Sequence, residues 1–198
     1  MKFLLEGRKM ETIVRRELVG DKRICRYLAA GVFVVLTALS AFVRLPLPFT
    51  PVPLTLQTFF VLLSGALLGK KWGVSTQSAY LFLGLCGQQV FTGLGSGSLY
   101  FWGVTGGYLA GFVPAAFLAG SLLKGEKEGF LPVFLKLLAA DFVILFSGTL
   151  WLKITGVLSV RQAFLLGFVP FAAGDMLKVA LAAVVYRKTQ ARFKSALY

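Results

Sequence analysis

Six apolar stretches of roughly 16 to 24 residues run through this chain, at residues 28–43, 54–69, 73–90, 105–123, 131–152 and 163–186. Each is close to the length that carries a helix across the hydrocarbon core of a bilayer. In lipid a spanning segment must satisfy its own backbone hydrogen bonds, so helix is the conformation left to such stretches. The chain is 57% hydrophobic and only 15% charged, where a soluble domain carries about 25% charged residues. The expected fold is all-α: a polytopic membrane protein with six transmembrane helices.

Its net charge of +13 could point to nucleic acid, but the placement of the bases gives another reason for it. With the amino terminus cytoplasmic, the inner side receives the bases of residues 1–26, Lys70, Lys71, Lys124, Lys127, Arg187, Lys188, Arg192 and Lys194. The outer side receives Arg44, Lys153 and Arg161, and the long outer connection at 88–104 has no charge of either sign. That asymmetry is the positive-inside pattern. It implies a multi-pass protein of the cell membrane with both termini cytoplasmic and the lipid bilayer, not nucleic acid, as its surroundings.

Three parts follow: a basic cytoplasmic segment at 1–26, a six-helix transmembrane domain at 27–188, and a basic cytoplasmic tail at 189–198. The first part mixes eight bases with four acids, and the helical spacing of Ile13, Val14, Leu18 and Val19 suits a short amphipathic helix on the inner membrane face. That region is too long and too acidic for a signal peptide, so the first apolar run is expected to remain as a span.

Two outer connections are irregular. Residues 46–53 contain four prolines, which excludes regular helix and leaves a stiff, extended wall or lid. Residues 92–98 are glycine-rich and can bring bare backbone close to a ligand. Irregular backbone near membrane depth survives only where protein or a water-filled cavity covers it. Two such stretches on one face imply an outward-facing substrate pocket.

Inside the last apolar run stand Asp175 and Lys178, three residues apart and thus on one helix face. An ionisable residue at mid-bilayer costs about 2.5–3.5 kcal/mol even on the lenient insertion scale, so both must face protein, water or a ligand. They serve one site, or they neutralise each other to hold the helix. The chain has no histidine, which removes the commonest general base and zinc ligand. Cys25 and Cys86 are too far apart to suggest a disulfide framework or a metal site. Small residues such as Ser64-Gly65-Ala66, Gly106-Gly107 and Ala115-Ala116 indicate close helix packing.

Taken in order, Pro51-Val52-Pro53-Leu54-Thr55-Leu56-Gln57, Gly65-Ala66-Leu67-Leu68-Gly69, Thr105-Gly106-Gly107-Tyr108-Leu109-Ala110-Gly111-Phe112 and Gly174-Asp175-Met176-Leu177-Lys178 closely resemble the BioY family. BioY proteins are the biotin-specific substrate-binding subunits of energy-coupling factor (ECF) transporters. The resemblance spans residues 45–188. It implies a six-helix protein that captures biotin from outside and docks on a transmembrane coupling protein and two ATPases, with no catalytic residue, cofactor or metal. The family's acid and base fall on Asp175 and Lys178. The sequence departs from the family pattern at Gln88, Gln89, Leu94, Val104 and Ala173. An asparagine that holds the head group in some relatives falls near Gly95 or Ser96, and Gln88 or Gln89 could replace it. The implied substrate-binding set is Asp175, Lys178, Gln57, Gln88, Gln89, Gly95, Ser96, Tyr108 and Phe91.

The ureido ring of biotin offers N–H donors beside a carbonyl, and a carboxylate with an ammonium complements both. Walls for its apolar body could come from Phe49, Phe91, Tyr100, Phe101, Trp102 and Tyr108, two or three of them touching ligand, with its carboxylate toward the outer mouth near Arg44. Related substrate-binding subunits carry an alanine pair four apart in the first span, whose nearest matches here are Thr37 with Ala41 and Ala30 with Val34, and the coupling protein is expected at Thr37 and Ala41. Two other readings compete. An intramembrane aspartyl protease would pair Asp175 with Asp141, but Ala172 replaces the first glycine of the Gly-x-Gly-Asp element and Lys178 opposes a shared proton. Asp141 is expected instead at Lys136 or the headgroups. A self-sufficient secondary transporter should show inverted repeats or interrupted spans, which the sequence does not display. No phosphate-binding loop occurs, so ATP hydrolysis must belong to a partner.

Overall fold

The computed structural model describes residues 21–124 and 128–197. The amphipathic helix expected from Ile13 to Val19 lies outside them. Helix α1 (Lys22–Ser40) starts six residues before the first apolar run, because the Asp21 carboxylate accepts from the Arg23 backbone N–H at 2.8 Å and caps it. Strands β1 (Arg44–Leu45) and β2 (Leu54–Thr55) then pair antiparallel, with Arg44 opposite Thr55 and Leu45 opposite Leu54. They close the proline-rich connection into a short hairpin.

Helix α2 (Gln57–Leu85) is broken at Gly69, whose φ of 76° and ψ of 170° suit only glycine. The chain reverses there. Gln57 meets Tyr80, Ser64 meets Gln77, and Gly65 lies against Gly73. The second and third apolar runs therefore form an antiparallel helical hairpin divided where the sequence divides them.

A 3₁₀ turn (Thr92–Leu94) and the short helix α3 (Gly97–Phe101) build the glycine-rich connection, followed by α4 (Gly106–Leu122) and α5 (Phe130–Ile154). The last apolar run is interrupted. It forms α6 (Val160–Gly167) and α7 (Val169–Leu197), joined at Phe168. Pro170 accounts for the break, since it lacks an N–H and is tolerated only in the first turn of a helix. The expectation of an uninterrupted final span is corrected accordingly, and α7 continues well beyond residue 186.

Helix α2 packs most extensively on α4, and α4 on α5, while α7 closes the bundle against α2 and α5. Small residues set these distances. A Cβ on Gly65 would overlap the Ala116 backbone, and one on Gly120 would overlap the backbone at Gly65, Gly69 and Lys70. The outer surface is apolar: on α5 Leu131, Leu135, Phe142, Phe146 and Leu150 are exposed, whereas Val133, Leu137, Ala140 and Ile144 are buried. So much exposed apolar surface suits lipid and not water. Among the described residues three helical runs, Lys22–Ser40, Phe130–Ile154 and Val160–Leu197, are long and apolar enough to cross a membrane, and Gly106–Leu122 is a shorter apolar helix.

Two further expectations are overturned. Thr37 and Ala41 are both fully buried, so that face packs inside the bundle and is not open to a partner. The exposed face of α1 carries Leu28, Val32, Val35 and Leu39 instead. Asp141 does not meet Lys136, which pairs with Glu128 at 2.6 Å. Asp141 is only 1% exposed, with no hydrogen-bond partner for its Oδ1.

Candidate functional site

Helix α7 places Asp175 and Lys178 one turn apart, and the first turn of α2 places Thr58 against both. Lys178 Nζ donates to Asp175 Oδ1 at 2.6 Å, Thr58 Oγ1 donates to the same oxygen at 3.3 Å, and Lys178 Nζ lies 3.4 Å from Thr58 Oγ1. Asp175 is 2% exposed and Lys178 8%. Asp175 Oδ2 makes no hydrogen bond among the described residues. Asp175 and Lys178 both line the adjoining cavity, where a charged group's hydrogen bonds are strong.

That cavity lies at the end of the bundle carrying both irregular connections. Val52 and Pro53 from the first and Thr92 from the second enter its lining beside Thr58, Asp175 and Lys178. Its apolar walls are Leu109 and Phe112 of α4, Ile144 and Leu145 of α5, and Phe171 of α7. It is narrow, about 50 Å³, close to the volume of one or two waters.

A second polar cluster supports the mouth. Gln57 Nε2 donates to Tyr80 Oη at 2.6 Å, and Tyr80 Oη donates to the Val90 carbonyl at 3.1 Å. Thr55 and Thr92 hydroxyls each donate to Gln57 Oε1 at 3.2 Å, and Tyr100 Oη donates to the Thr92 carbonyl at 2.9 Å. The amide of one residue thereby ties both connections to α2. On the opposite wall Tyr108 Oη donates to the Gly167 carbonyl at 2.6 Å, and its ring lies 5.7 Å from Phe171. Gly148 makes room for that ring, since a Cβ there would strike it.

Of the nine residues assigned to the site from sequence, the structure brings Asp175, Lys178, Gln57 and Tyr108 to the cavity. Gln88 and Gln89 are exposed beyond the end of α2 and do not line it. Phe91 is fully buried, its ring seated over Gly84 and 5.3 Å from Tyr100, outside the lining. Gly95 and Ser96 are half-buried in the second connection and also stay outside it. Of the six candidate wall aromatics, Tyr100 and Tyr108 line the cavity, while Phe49 and Trp102 are exposed. Arg44 folds its guanidinium over Gly93 near the mouth. Sequence reasoning missed Thr58, although it directly follows the Pro51-to-Gln57 segment, missed Phe112, although it ends the Thr105-to-Phe112 segment, and missed Phe171, which nothing distinguishes among 19 phenylalanines.

The BioY family model matches residues 15–195, nearly the whole chain. The chain belongs to the BioY family. It is 40% identical over 156 residues to the biotin transporter BioY of Thermotoga maritima, covering 79% of this chain and 90% of that protein. It is 38% identical over 160 residues to a probable biotin transporter BioY of Pyrococcus horikoshii, covering 81% and 93%. In three dimensions it is similar to the S-component for biotin from an ECF-type ABC transporter, with a TM-score of 0.81, 26% identity, and 85% of this chain and 92% of that one covered. This likeness and the apolar helices establish an all-α membrane protein. The four site residues gathered at the cavity all fall in segments that carry the BioY resemblance.

Proposed function

We propose that this protein binds biotin in the cavity beside Asp175 and Lys178 and serves as the substrate-specific subunit of an ECF-type importer. It is a transport protein and not an enzyme. Family membership supports the substrate, and one observation supports the site: a buried acid, base and hydroxyl meet at a cavity that is otherwise apolar. In this reading Asp175 Oδ2 accepts from a ureido N–H and Lys178 donates to the ureido carbonyl. Phe112, Phe171 and Tyr108 enclose the bicyclic body, and the valerate carboxylate leaves between the two connections toward Arg44. A cavity of about 50 Å³ is too small for the whole ligand, so the connections part to admit it.

The chain contains no phosphate-binding loop, which supports energisation by a transmembrane coupling protein with two ATPases. The positive-inside distribution supports six crossings of the cell membrane, both termini cytoplasmic and a pocket opening outward. The break at Phe168 is a feature shared with self-sufficient carriers, whose broken helices face one another across an inverted repeat. Two measurements test the proposal. Titration of the purified protein with biotin should show one ligand per chain, with dethiobiotin, which keeps the ureido ring but lacks the second ring, reading the share of the apolar walls. Biotin uptake should require co-expressed coupling protein and ATPases. No binding of biotin, or uptake by the lone protein in vesicles, would overturn it.

A further inference from the structure

The bundle has a second cavity at the end opposite Asp175, of about 320 Å³, where α2 reverses and where α4 and α7 end. Lys124 and Lys194 enter it beside Gln190, while Ala66, Leu67 and Leu123 form its apolar side. Neither lysine forms an ion pair among the described residues, whose salt bridges join Lys136 to Glu128 and Lys178 to Asp175. The described acids near no lysine of this cavity are committed elsewhere: Asp21 caps α1 and Asp141 is buried in the bundle. Gln190 Oε1 is shielded from solvent and has no hydrogen-bond partner among the described residues.

We infer that this cavity binds the head group of an anionic phospholipid with a hydroxylated head, of the phosphatidylglycerol type. Lys124 and Lys194 are both exposed at this recess, and a phosphodiester between them can accept from both ammonium groups. Basic pockets between the ends of transmembrane helices are where such head groups are held. The orphan Gln190 Oε1 needs a donor, which a glycerol hydroxyl supplies and a choline head group lacks. The volume equals roughly ten waters in the liquid, enough for a phosphoglycerol group. Gly120, seated on the backbone of Gly65, Gly69 and Lys70, gives the recess a closely packed floor.

Native mass spectrometry of the detergent-purified protein tests this, with dioleoyl phosphatidylglycerol, phosphatidic acid and phosphatidylcholine as probes. Phosphatidylglycerol should be retained and phosphatidylcholine should not. The double substitution Lys124→Gln/Lys194→Gln should weaken retention by about 30-fold, from the usual worth of a basic residue at a membrane surface. Gln190→Leu keeps both charges and should erase the preference for phosphatidylglycerol over phosphatidic acid. Equal retention of phosphatidylcholine, or unchanged retention in the double variant, would overturn the site. Binding of glycerol 3-phosphate or inorganic phosphate as tight as that of the lipid would overturn the lipid as its source. Biotin titration of the same variants checks their fold and is independent of this readout.

Discussion

Replacing Asp175 and Lys178 singly and together separates a ligand site from an ion pair that only holds a helix. The two side chains meet at 2.6 Å with 3% and 10% of their surface exposed, so neither charge is compensated by water. Removing one partner from a buried pair costs about 3–5 kcal/mol of stability. Asp175→Asn leaves Lys178 with a neutral amide oxygen and the long contact to Thr58, at 3.4 Å, in place of its counter-charge, and Lys178→Met leaves Asp175 with Thr58 alone. Both single variants should melt well below the parent. The double variant removes both charges of the pair and should regain most of that stability. Binding should behave in the opposite way. A hydrogen bond to a charged group is worth about 1.5–3 kcal/mol, or roughly 10- to 150-fold in affinity per contact. Loss of both contacts should therefore leave the double variant roughly 10²- to 10⁴-fold weaker for biotin, though folded and monodisperse. Thermal denaturation in detergent without ligand reads the first quantity and calorimetric titration the second. A double variant that binds biotin as tightly as the parent would refute the assignment and make the pair structural.

Three more outcomes can be checked. Gln57→Ala removes hydrogen bonds to Tyr80, Thr92 and Thr55 at a residue only 3% exposed, and should cost about 1–3 kcal/mol in stability while weakening biotin binding; unchanged melting and affinity would exclude its bracing role. Leu94 has a φ of 63° and is 57% exposed, so Leu94→Gly should relieve left-handed backbone strain of about 1 kcal/mol and raise the melting temperature by roughly 2–4 °C. In a Cys25→Ala/Cys86→Ala background, a thiol placed at Ser96 should react with an impermeant reagent in intact cells, and one placed at Lys188 only after the cells are opened; labelling of both from one side would contradict the six-span orientation.

What could be read from the sequence depended on whether lipid erased the signal. The Asp175–Lys178 pair was legible because charge in an apolar run is costly and three-residue spacing shares a face. The hairpin between the second and third runs was legible because glycine and paired lysines interrupt the apolar pattern at Gly69, Lys70 and Lys71. The walls of the cavity were not. In water a helix's inner face is betrayed by polar residues on the other side, whereas here exposed Phe142 and buried Ile144 are equally apolar. Only tertiary packing decides that Phe112 and Phe171 face the site. Thr58 carries no distinguishing chemistry until α7 brings Asp175 to it. The same limit applied to Thr37 and Ala41, since a small-residue face looks alike whether it meets a neighbouring helix or another protein.

The adjacency of Gln57 and Thr58 gives the site a mechanical property that neither residue has alone. Thr58 holds the acid and base, and Gln57 holds Thr92 and Thr55, which belong to the two connections at the mouth. Both lie in the first turn of α2, so a shift of that turn acts on the polar floor and on the mouth together. The proline-rich connection is secured by a two-residue ladder, by the burial of Val52, at 4% exposed, and by the Thr55 hydroxyl on Gln57. A ligand changes such a balance only through contacts that differ between the open and closed arrangements. Under the proposed binding mode, biotin would engage Asp175 Oδ2 and Lys178 at the floor while touching Val52 and Pro53 at the rim, and so make contacts of both kinds. In the proposed binding mode occupancy of the floor favours closure over the ligand, and analogues lacking the ureido ring should not produce it.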